Sequence, residues 1–530
     1  MSLSELGTEP GKVETIQVDA PYVADPLSAY KALARPHSIL LESAEIDSKD
    51  NLKSLILVDA ALRIECQQQE VVVTALSKNG LPLINFLHNK LSEHKKSCSD
   101  DVLVLCFSSH HKGLDEDSRL KQPSVFDVLR TLQQQLEALR QHPQAVFLGG
   151  VFAYDLLASF EQLPEVPQGL NHCPDYVFYL AESLILIDHQ SKTTSILGSV
   201  FSSQNVAHQY FEKQQRLEDI KKQLGELDTI AFPPSEEALV SDLKVDKDDT
   251  QYCKDVKDLQ EHILDGDIFQ VVPSRSFSLP CKDSLLAYKR LKQTNPSPYM
   301  FYLQDHDFAI FGASPESALK YETNSNQVEI YPIAGTRPRG KRADGSIDLD
   351  LDSRLELNLQ QDEKEKAEHI MLVDLARNDV AKVCEPGTRY VKDLLKVDRY
   401  SHVMHLVSRV VGQLRGDLDA LHAYQACMNM GTLVGAPKIS AASLIRHTEK
   451  CTRGSYGGAV GYLNGVGDFD TCIVIRSAFV SDNIAYIQAG AGVVKDSVPQ
   501  SEADETRVKA QAVIQAILTA NIAADGGEHA

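Results

Sequence analysis

In QDEKEKAEHIMLVDLARNDV, helical spacing lines up Glu368, Leu372 and Leu375 at i, i+4 and i+7. A carboxylate therefore heads an apolar stripe, while Glu363, Lys364 and Lys366 face water. Helical glutamates ordinarily lie on the solvated face, so the placing of Glu368 is unusual. A second helix, in KDSVPQSEADETRVKAQAVIQAI, opens on an N-cap arrangement of Ser501 with Asp504. It aligns Glu505 with Val508, Ala512 and Ala516, and Lys509 with Val513 and Ile517. Two inward carboxylates suit Mg2+, which takes hard oxygen ligands and often binds through one or two acids plus the substrate.

The run TCIVIRSAFV reads as a strand in which Cys472, Val474, Arg476 and Ala478 share one face, with Ile473, Ile475 and Phe479 on the other. Arg476 is then a guanidinium in a strand that is apolar on both sides, and a buried guanidinium needs a partner. Two partners fit: a structural salt bridge, or the carboxylate of a ligand held by the bidentate fork. Glycine-rich segments follow several strands, AGT at 334–336, GSYGGAVGY at 454–462 and QAGAGVV at 488–494, and would allow close backbone approach to a ligand. Other chemistries find no seat. The dinucleotide fingerprint GxGxxG with a distant acid is not matched, and GTLVGAPK is not GxxxxGK[ST]. No G-x-S-x-G or G-x-C-x-G elbow offers an acyl nucleophile, so the chain does not supply its own glutaminase.

The elements that must position these groups follow from periodicity. From about Ser38 to Leu197, strands such as SLILVDAALRIEC and QEVVVTAL alternate with helices, one of them predicted across SVFDVLRTLQQQLEALRQH. Paired prolines and clustered acids between about Glu226 and Thr250 mark a linker. It divides an N-terminal α+β region, 15–240, from a C-terminal region, 250–525. In the latter, CKDVKDLQEHILDG reads as a helix and DIFQVVPSRSFSL, FAIFGASP, VEIYPIAG, GGAVGYL, FDTCIVIRSAFV and IAYIQAGAGVV as strands, partly in hairpin succession, with Asn464-Gly465 as one turn signal. The expected fold class is α+β: largely antiparallel sheets forming a sandwich with helices outside.

Composition bounds the rest. At 530 residues, 43% hydrophobic and 24% charged, the chain fits a soluble globular protein of two to four domains. A net charge of −21 argues against a nucleic-acid partner. No apolar run suits a membrane span, no export signal is visible, and ten scattered cysteines without a CxxC pair suit a reduced, cytoplasmic protein.

Ten co-linear segments carry a family resemblance: QVVPSR, FGASPES, PIAGTRPRG, EHIMLVDLARND, VMHLVSRV, MGTLVGAPK, RGSYGGAVGY, IRSA, QAGAGVV and SEADETRVKA. In order and spacing they resemble the chorismate-utilising enzymes, densely over about 265–510, and LLESAEIDSKDNLKSL extends the likeness into the N-terminal half. The resemblance implies that Glu368 and Glu505 hold Mg2+ against the ring carboxylate of chorismate. Arg476 and Tyr456 would take the enolpyruvyl carboxylate, and Gly335, Thr336, Gly490, Ala491, Gly492 and Lys509 would close on the substrate. Glu316 would protonate the departing C4 hydroxyl, His405 would orient the substrate or serve the later elimination, and Thr432 belongs to the same catalytic neighbourhood.

Two positions choose among the family's chemistries. Relatives that make aminodeoxychorismate carry a nucleophilic lysine where this chain has Ala334, and relatives that add water carry a lysine base where it has Gln270. Both departures resemble the anthranilate-forming branch, in which ammonia adds directly at C2. That branch implies an ammonia-supplying glutamine amidotransferase subunit, in a heterotetramer of two of each chain. It also implies an L-tryptophan feedback site built from Glu42, Ser43, Lys53, Pro298, Tyr299 and Met300. Arg337 and Arg339 receive no substrate role and are expected to be structural clamps.

Overall fold

Two long strands, Lys53–Gln67 and Tyr176–Asp188, set the frame. They pair antiparallel along nearly their whole length, with register shifts between Leu57 and Leu62. Such irregularities bend and twist a strand pair, and here they let one ribbon serve two sheets. A computed structural model describes residues 6–7, 9–43, 52–108, 113–227, 242–342, 344–400 and 403–527.

In the first sheet the ribbon continues through Ser38–Glu42, Tyr299–Gln304, Ala309–Ser314, Ser477–Ser481 and Ile484–Gly490 to Ser274–Pro280. In the second it continues through Phe147–Phe152, Ala459–Asn464, Phe469–Ile473, Ser317–Glu322 and Gln327–Ile330 to Val403–Gln413. All these ladders are antiparallel. Ile39, Leu57, Phe147, Val151, Phe301, Leu303, Ile310, Val460 and Phe479 interdigitate between the sheets. Helices cover the outer faces. Ser284–Thr294 and the C-terminal helix Pro499–Gly527 share one core through Ala287, Tyr288, Leu291, Ala510, Val513 and Ile517. The helix Glu363–Val383 lies against the second sheet through Val373, Ala376 and Val380. This is the α+β sandwich with outer helices expected from alternation and breakers.

Strands on either side of the expected linker pair with one another: Ser38–Glu42 with Tyr299–Gln304, and Phe147–Phe152 with Ala459–Asn464. Residues 228–241 of that linker lie outside the described residues, as do 44–51 of the expected feedback segment.

The detailed element readings need four corrections. The run 267–279 is two strands, Gln270–Val271 and Ser274–Pro280, which pair in different sheets. The helix expected over 124–142 occupies only Asp127–Gln135. Beyond buried Leu136 the chain extends, and Glu137–Ala138 pairs in parallel with Lys12–Val13; tertiary pairing overrides local helical preference. The run 469–480 is not one strand but two, Phe469–Ile473 and Ser477–Ser481, each in a different sheet. The last helix starts at Pro499, two residues before Ser501, with proline in its favoured first-turn position.

The split of that strand creates the site. Its neighbour splits at the same level, Ala309–Ser314 pairing with the first sheet and Ser317–Glu322 with the second. Pro315-Glu316 fills one break and Val474 to Arg476 the other. Ile473 N–H donates to the Glu316 carbonyl at 3.0 Å, and Ala313 N–H donates to the Arg476 carbonyl at 3.1 Å, so the two breaks are laced together.

Candidate active site

Glu316 is buried at its strand break, and its Oε1 accepts from Thr432 Oγ1 at 3.0 Å. Burial pushes its carboxyl up to about 8, against the smaller opposing pull of the Thr432 hydroxyl, Lys509 and Arg476. At neutral pH it is therefore largely protonated and can donate.

Arg476 sits at the opposite break with a left-handed φ of 50°. Its half-buried guanidinium makes no hydrogen bond or ion pair with any described residue. Burial opposes its charge, and only the nearby Tyr456, Glu505 and Glu316 favour it. A strained, desolvated and unpaired fork is costly to a fold. Of the two partners that fit the sequence, the structural salt bridge is not present among the described residues. Tyr456 is buried, with Gly490 hydrogen-bonding it through the backbone, and the guanidinium of Arg453 lies 5.6 Å from its ring centre. Arg453 also donates to the carbonyls of Leu433 at 2.8 Å and Val272 at 2.6 Å, which ties the segment of Thr432 to the strand end before Ser274.

His405 lies on Val403–Gln413, with its Nδ1 2.9 Å from Thr336 Oγ1. Burial and the charge of Arg476 lower it to about 4, so the imidazole is neutral at physiological pH. The opposing strand Ile333–Pro338 slips register between Ala334 and Thr336, and Gly335 takes a φ of 80°. That glycine bulge turns Thr336 toward His405. A Cβ at Gly335 would sit 3.1 Å from Glu365 Oε2 and 3.2 Å from Leu359. Gly335→Ala is expected to cost about 1–2 kcal/mol from the backbone conformation and to lower turnover by disturbing the Thr336–His405 contact. Thermal melts and kcat measured on the same preparation check both effects. Arg337 and Arg339 clamp this strand from outside, to Asp362 at 2.7 Å and Glu365 at 2.9 Å, and to Asp352 at 2.9 Å.

Acids gather on the remaining side. Gln270 Nε2 donates to Glu368 Oε1 at 2.9 Å, while the buried Gln270 Oε1 has no hydrogen-bond partner. Burial, then the negative charges of Glu365 and Glu505, push Glu368 up. Burial and Glu505 also push up Glu502. Glu505 itself is exposed, as is Val508, and the inward row of this helix is Ala503, Thr506, Ala510, Val513 and Ile517. The expected stripe was therefore offset: Glu505 lies at the rim of the site rather than on the buried face. Lys509 pairs with Glu505 at 2.6 Å and donates to the Gly490 carbonyl at 2.9 Å. A Cβ at Gly492 would meet Gln270 Nε2 at 2.7 Å, and Ala491 N–H donates to the Pro273 carbonyl at 3.2 Å. This backbone lies close beside Gln270 and Glu368. Glu365 and Glu502 were missed; the signal for them was a repeated E-x-x-E, which puts two acids on one helix face in each of two helices.

A protonated acid, an unpaired guanidinium, a neutral imidazole and a cluster of mutually repelling carboxylates thus converge where the two sheets part. A family model described as chorismate binding enzyme matches residues 88–515. The chain belongs to the chorismate-binding enzymes. Within that family it is of the anthranilate synthase component 1 type. It is 59% identical over 512 residues to anthranilate synthase component 1 of Vibrio cholerae, covering 96% of this chain and 97% of that protein. It is 55% identical to that of Escherichia coli over 526 residues, covering 97% and 98%. Among solved structures, anthranilate synthase component I from Streptococcus pneumoniae superposes with a TM-score of 0.64 at 28% identity, covering 94% of this chain and 98% of that one. The menaquinone-specific isochorismate synthase of Escherichia coli has a TM-score of 0.65 at 17% identity, covering 97% of each, and shares the fold.

Of the remaining candidates in this chorismate-binding chain, the six expected tryptophan-site residues do not share one face. Leu40, Met300 and Tyr302 point to the helix side of the first sheet, whereas Ile39, Leu41, Tyr299 and Phe301 point between the sheets. Glu42 lies opposite Met300, and its carboxylate is already taken by Tyr288 and Lys292 of the covering helix. Tyr299 reaches the other way, its Oη donating to Asp470 Oδ1 at 3.4 Å. Lys53 is exposed, and Ser43 N–H donates to its carbonyl at 3.2 Å. Glu42 and Met300 thus lie on one face of this sheet and Tyr299 on the other.

Proposed function

We propose that this chain aminates chorismate to anthranilate with loss of pyruvate, using Mg2+ and ammonia released from glutamine by a separate amidotransferase subunit. The proposed assembly is cytoplasmic, contains two of each chain and is inhibited by L-tryptophan. The observation that carries the reading is the pairing, at two adjacent strand breaks, of protonated Glu316 with unpartnered Arg476. Ammonia attacks C2 while the C4–O bond breaks, and that oxygen departs as water once Glu316 has given it a proton. The ring electron pairs shift between the two carbons. Loss of the C2 proton and of the C3 enolpyruvyl group, released as pyruvate, then makes the ring aromatic. Arg476 and Tyr456 hold the enolpyruvyl carboxylate, and neutral His405 can orient the ring or accept the elimination proton. No described helix is long and apolar enough to cross a membrane.

Ala334 has no nucleophile to offer, and Gln270 is no base. The orphaned Gln270 Oε1 can instead accept an N–H from ammonia. The acid cluster fits Mg2+: Glu368 and Glu505 repel each other with Lys509 as the nearby cation, and a divalent ion would relieve that repulsion. Held by these two acids, Mg2+ would neutralise the ring carboxylate beside the reacting carbon.

Purified chain given chorismate, Mg2+ and ammonium should show the fluorescence rise of anthranilate, and glutamine should replace ammonium only when the amidotransferase is added. No product under the first condition would sink the reading. Chelation should abolish the rate reversibly. Glu505→Gln should raise the Mg2+ concentration for half-maximal rate by at least the roughly 10–100-fold typical of losing even an outer-shell partner. An unchanged Mg2+ titration would remove Glu505 from the metal site.

A further inference from the structure

We infer that Asp155 and Asn171, both from the N-terminal region, are positioning residues for the reaction: they hold loop 453–458 in the shape that presents Tyr456 to the enolpyruvyl carboxylate. This rests on the reading of Tyr456 given above and deepens it. The loop leads from the helix Lys438–Glu449 into the strand Ala459–Asn464. Gly454 and Gly457 take left-handed φ values of 61° and 79°. A chain bent in this way cannot pair its amides as a helix or a strand does, and buried amides need partners. Asp155 Oδ2 accepts two of them, Arg453 N–H at 2.8 Å and Gly454 N–H at 2.9 Å. Its Oδ1 accepts from Arg446 at 2.8 Å, so both carboxylate oxygens are committed. Asn171 Oδ1 accepts Ser455 N–H at 3.2 Å, and Asn171 Nδ2 donates to Ser455 Oγ at 2.9 Å. Tyr154 completes the cradle: its N–H donates to the Gly454 carbonyl at 2.9 Å, and the Arg453 guanidinium lies 4.6 Å from its ring centre. Asp155, Asn171, Arg453 and Ser455 are all buried.

The fit leaves no slack. A Cβ at Gly454 would fall 2.2 Å from the Asn171 carbonyl oxygen, and one at Gly458 would fall 2.0 Å from that of Phe152. From this support the loop reaches the site. The Tyr456 hydroxyl lies beside Gly490, where a Cβ would come within 3.1 Å of it. Gly457 N–H donates to the Val474 carbonyl at 3.0 Å, in the strand break that ends on Arg476. Neighbouring residues therefore tie Tyr456 to the N-terminal cradle on one side and to the break of Arg476 on the other. The two proposed holders of the enolpyruvyl carboxylate are set at a fixed separation by groups that direct their own hydrogen bonds at the loop.

A mutant cycle on the full chain, read by ammonium-driven anthranilate formation, separates positioning from simple support of the fold. Asp155→Asn keeps the shape of the side chain but leaves too few acceptors for Arg446 and the two amides. It is expected to raise the KM for chorismate roughly 10-fold or more, with kcat per folded molecule within about threefold of the parent, because a displaced carboxylate holder weakens binding. In a Tyr456→Phe background the same substitution should change KM by less than about threefold, since residues that act through one group are not additive. Asn171→Ala, which removes the support of Ser455 alone, should repeat the pattern and serves in place of Asp155→Asn if that variant does not fold. An equal rise of KM in both backgrounds would overturn the inference. So would a parental KM in the folded fraction of both cradle variants, which would make the contact mere glue between the two regions. If Tyr456→Phe alone keeps the parental KM, it is the reading of Tyr456 that falls.

Discussion

Glu316→Gln is expected to lower anthranilate formation by roughly 10²–10⁴-fold, the usual contribution of a positioned general acid. The amide oxygen can still accept from Thr432, so the shape of the site is kept while the proton is lost. Chorismate affinity should change little, and the loss should fall on kcat. The parent should show kcat/KM level below about pH 8 and falling above it, because the working form is the protonated one and burial holds the carboxyl at about 8. The variant should lack that limb. A decline at the same pH in Glu316→Gln would assign the titration to another group.

The same substitution carries a stability effect of opposite sign. The folded carboxyl titrates at about 8 and the ordinary value is 4.5. Below the ordinary value both states are protonated and nothing is lost. Between the two values the unfolded chain ionises while the folded one does not, so stability declines as pH rises, by an amount that reaches roughly 3–5 kcal/mol above pH 8. Glu316→Gln removes this dependence. Its melting temperature should exceed the parent's most clearly in alkaline buffer, as expected of an active-site group that function keeps against the interest of the fold.

Arg476→Gly should likewise trade activity for stability. Removing one side of a desolvated charge pair costs about 2–5 kcal/mol, a factor of roughly 30 to several thousand in kcat/KM for chorismate. Glycine meanwhile accepts the left-handed φ without penalty, relieving about 1–2 kcal/mol, and the half-buried unpaired charge disappears. Arg476→Lys should fall between, since it keeps the charge but not the bidentate fork. Steady-state kinetics and thermal melts decide the matter. A kcat/KM within threefold of the parent in Arg476→Gly would leave the enolpyruvyl carboxylate without its proposed clamp.

These residues show where sequence reading reaches and where it stops. Strand alternation and breakers were enough for an antiparallel α+β sandwich, because a half-buried strand writes its two faces into every second residue. Lys509 was correctly aligned with Val513 and Ile517. Glu505 was not: at the rim of a helix, adjacent stripes differ by one residue, and small residues such as Ala512 suit either. The break at Val474 to Arg476 was invisible because neither half of the run is unfit for a strand; only pairing with different sheets parts them. The orientation of Glu42 could not be read from its own strand, since what decides it is a helix about 250 residues away. The proposed chemical roles came from the family resemblance; what the structure adds is burial at Glu316, an Arg476 guanidinium without a partner among the described residues and a neutral His405.

The interleaving of the two halves has a consequence for the chain while it is being made. Phe147–Phe152 leaves the ribosome about 300 residues ahead of its partner Ala459–Asn464. At synthesis rates of about 5–20 residues per second, that edge waits roughly 15–60 s, with its hydrogen-bonding groups and its apolar face open. Ser38–Glu42 waits nearly as long for Tyr299–Gln304. The nascent N-terminal half is therefore a candidate client for chaperones, and a fragment ending near residue 227 should aggregate rather than fold.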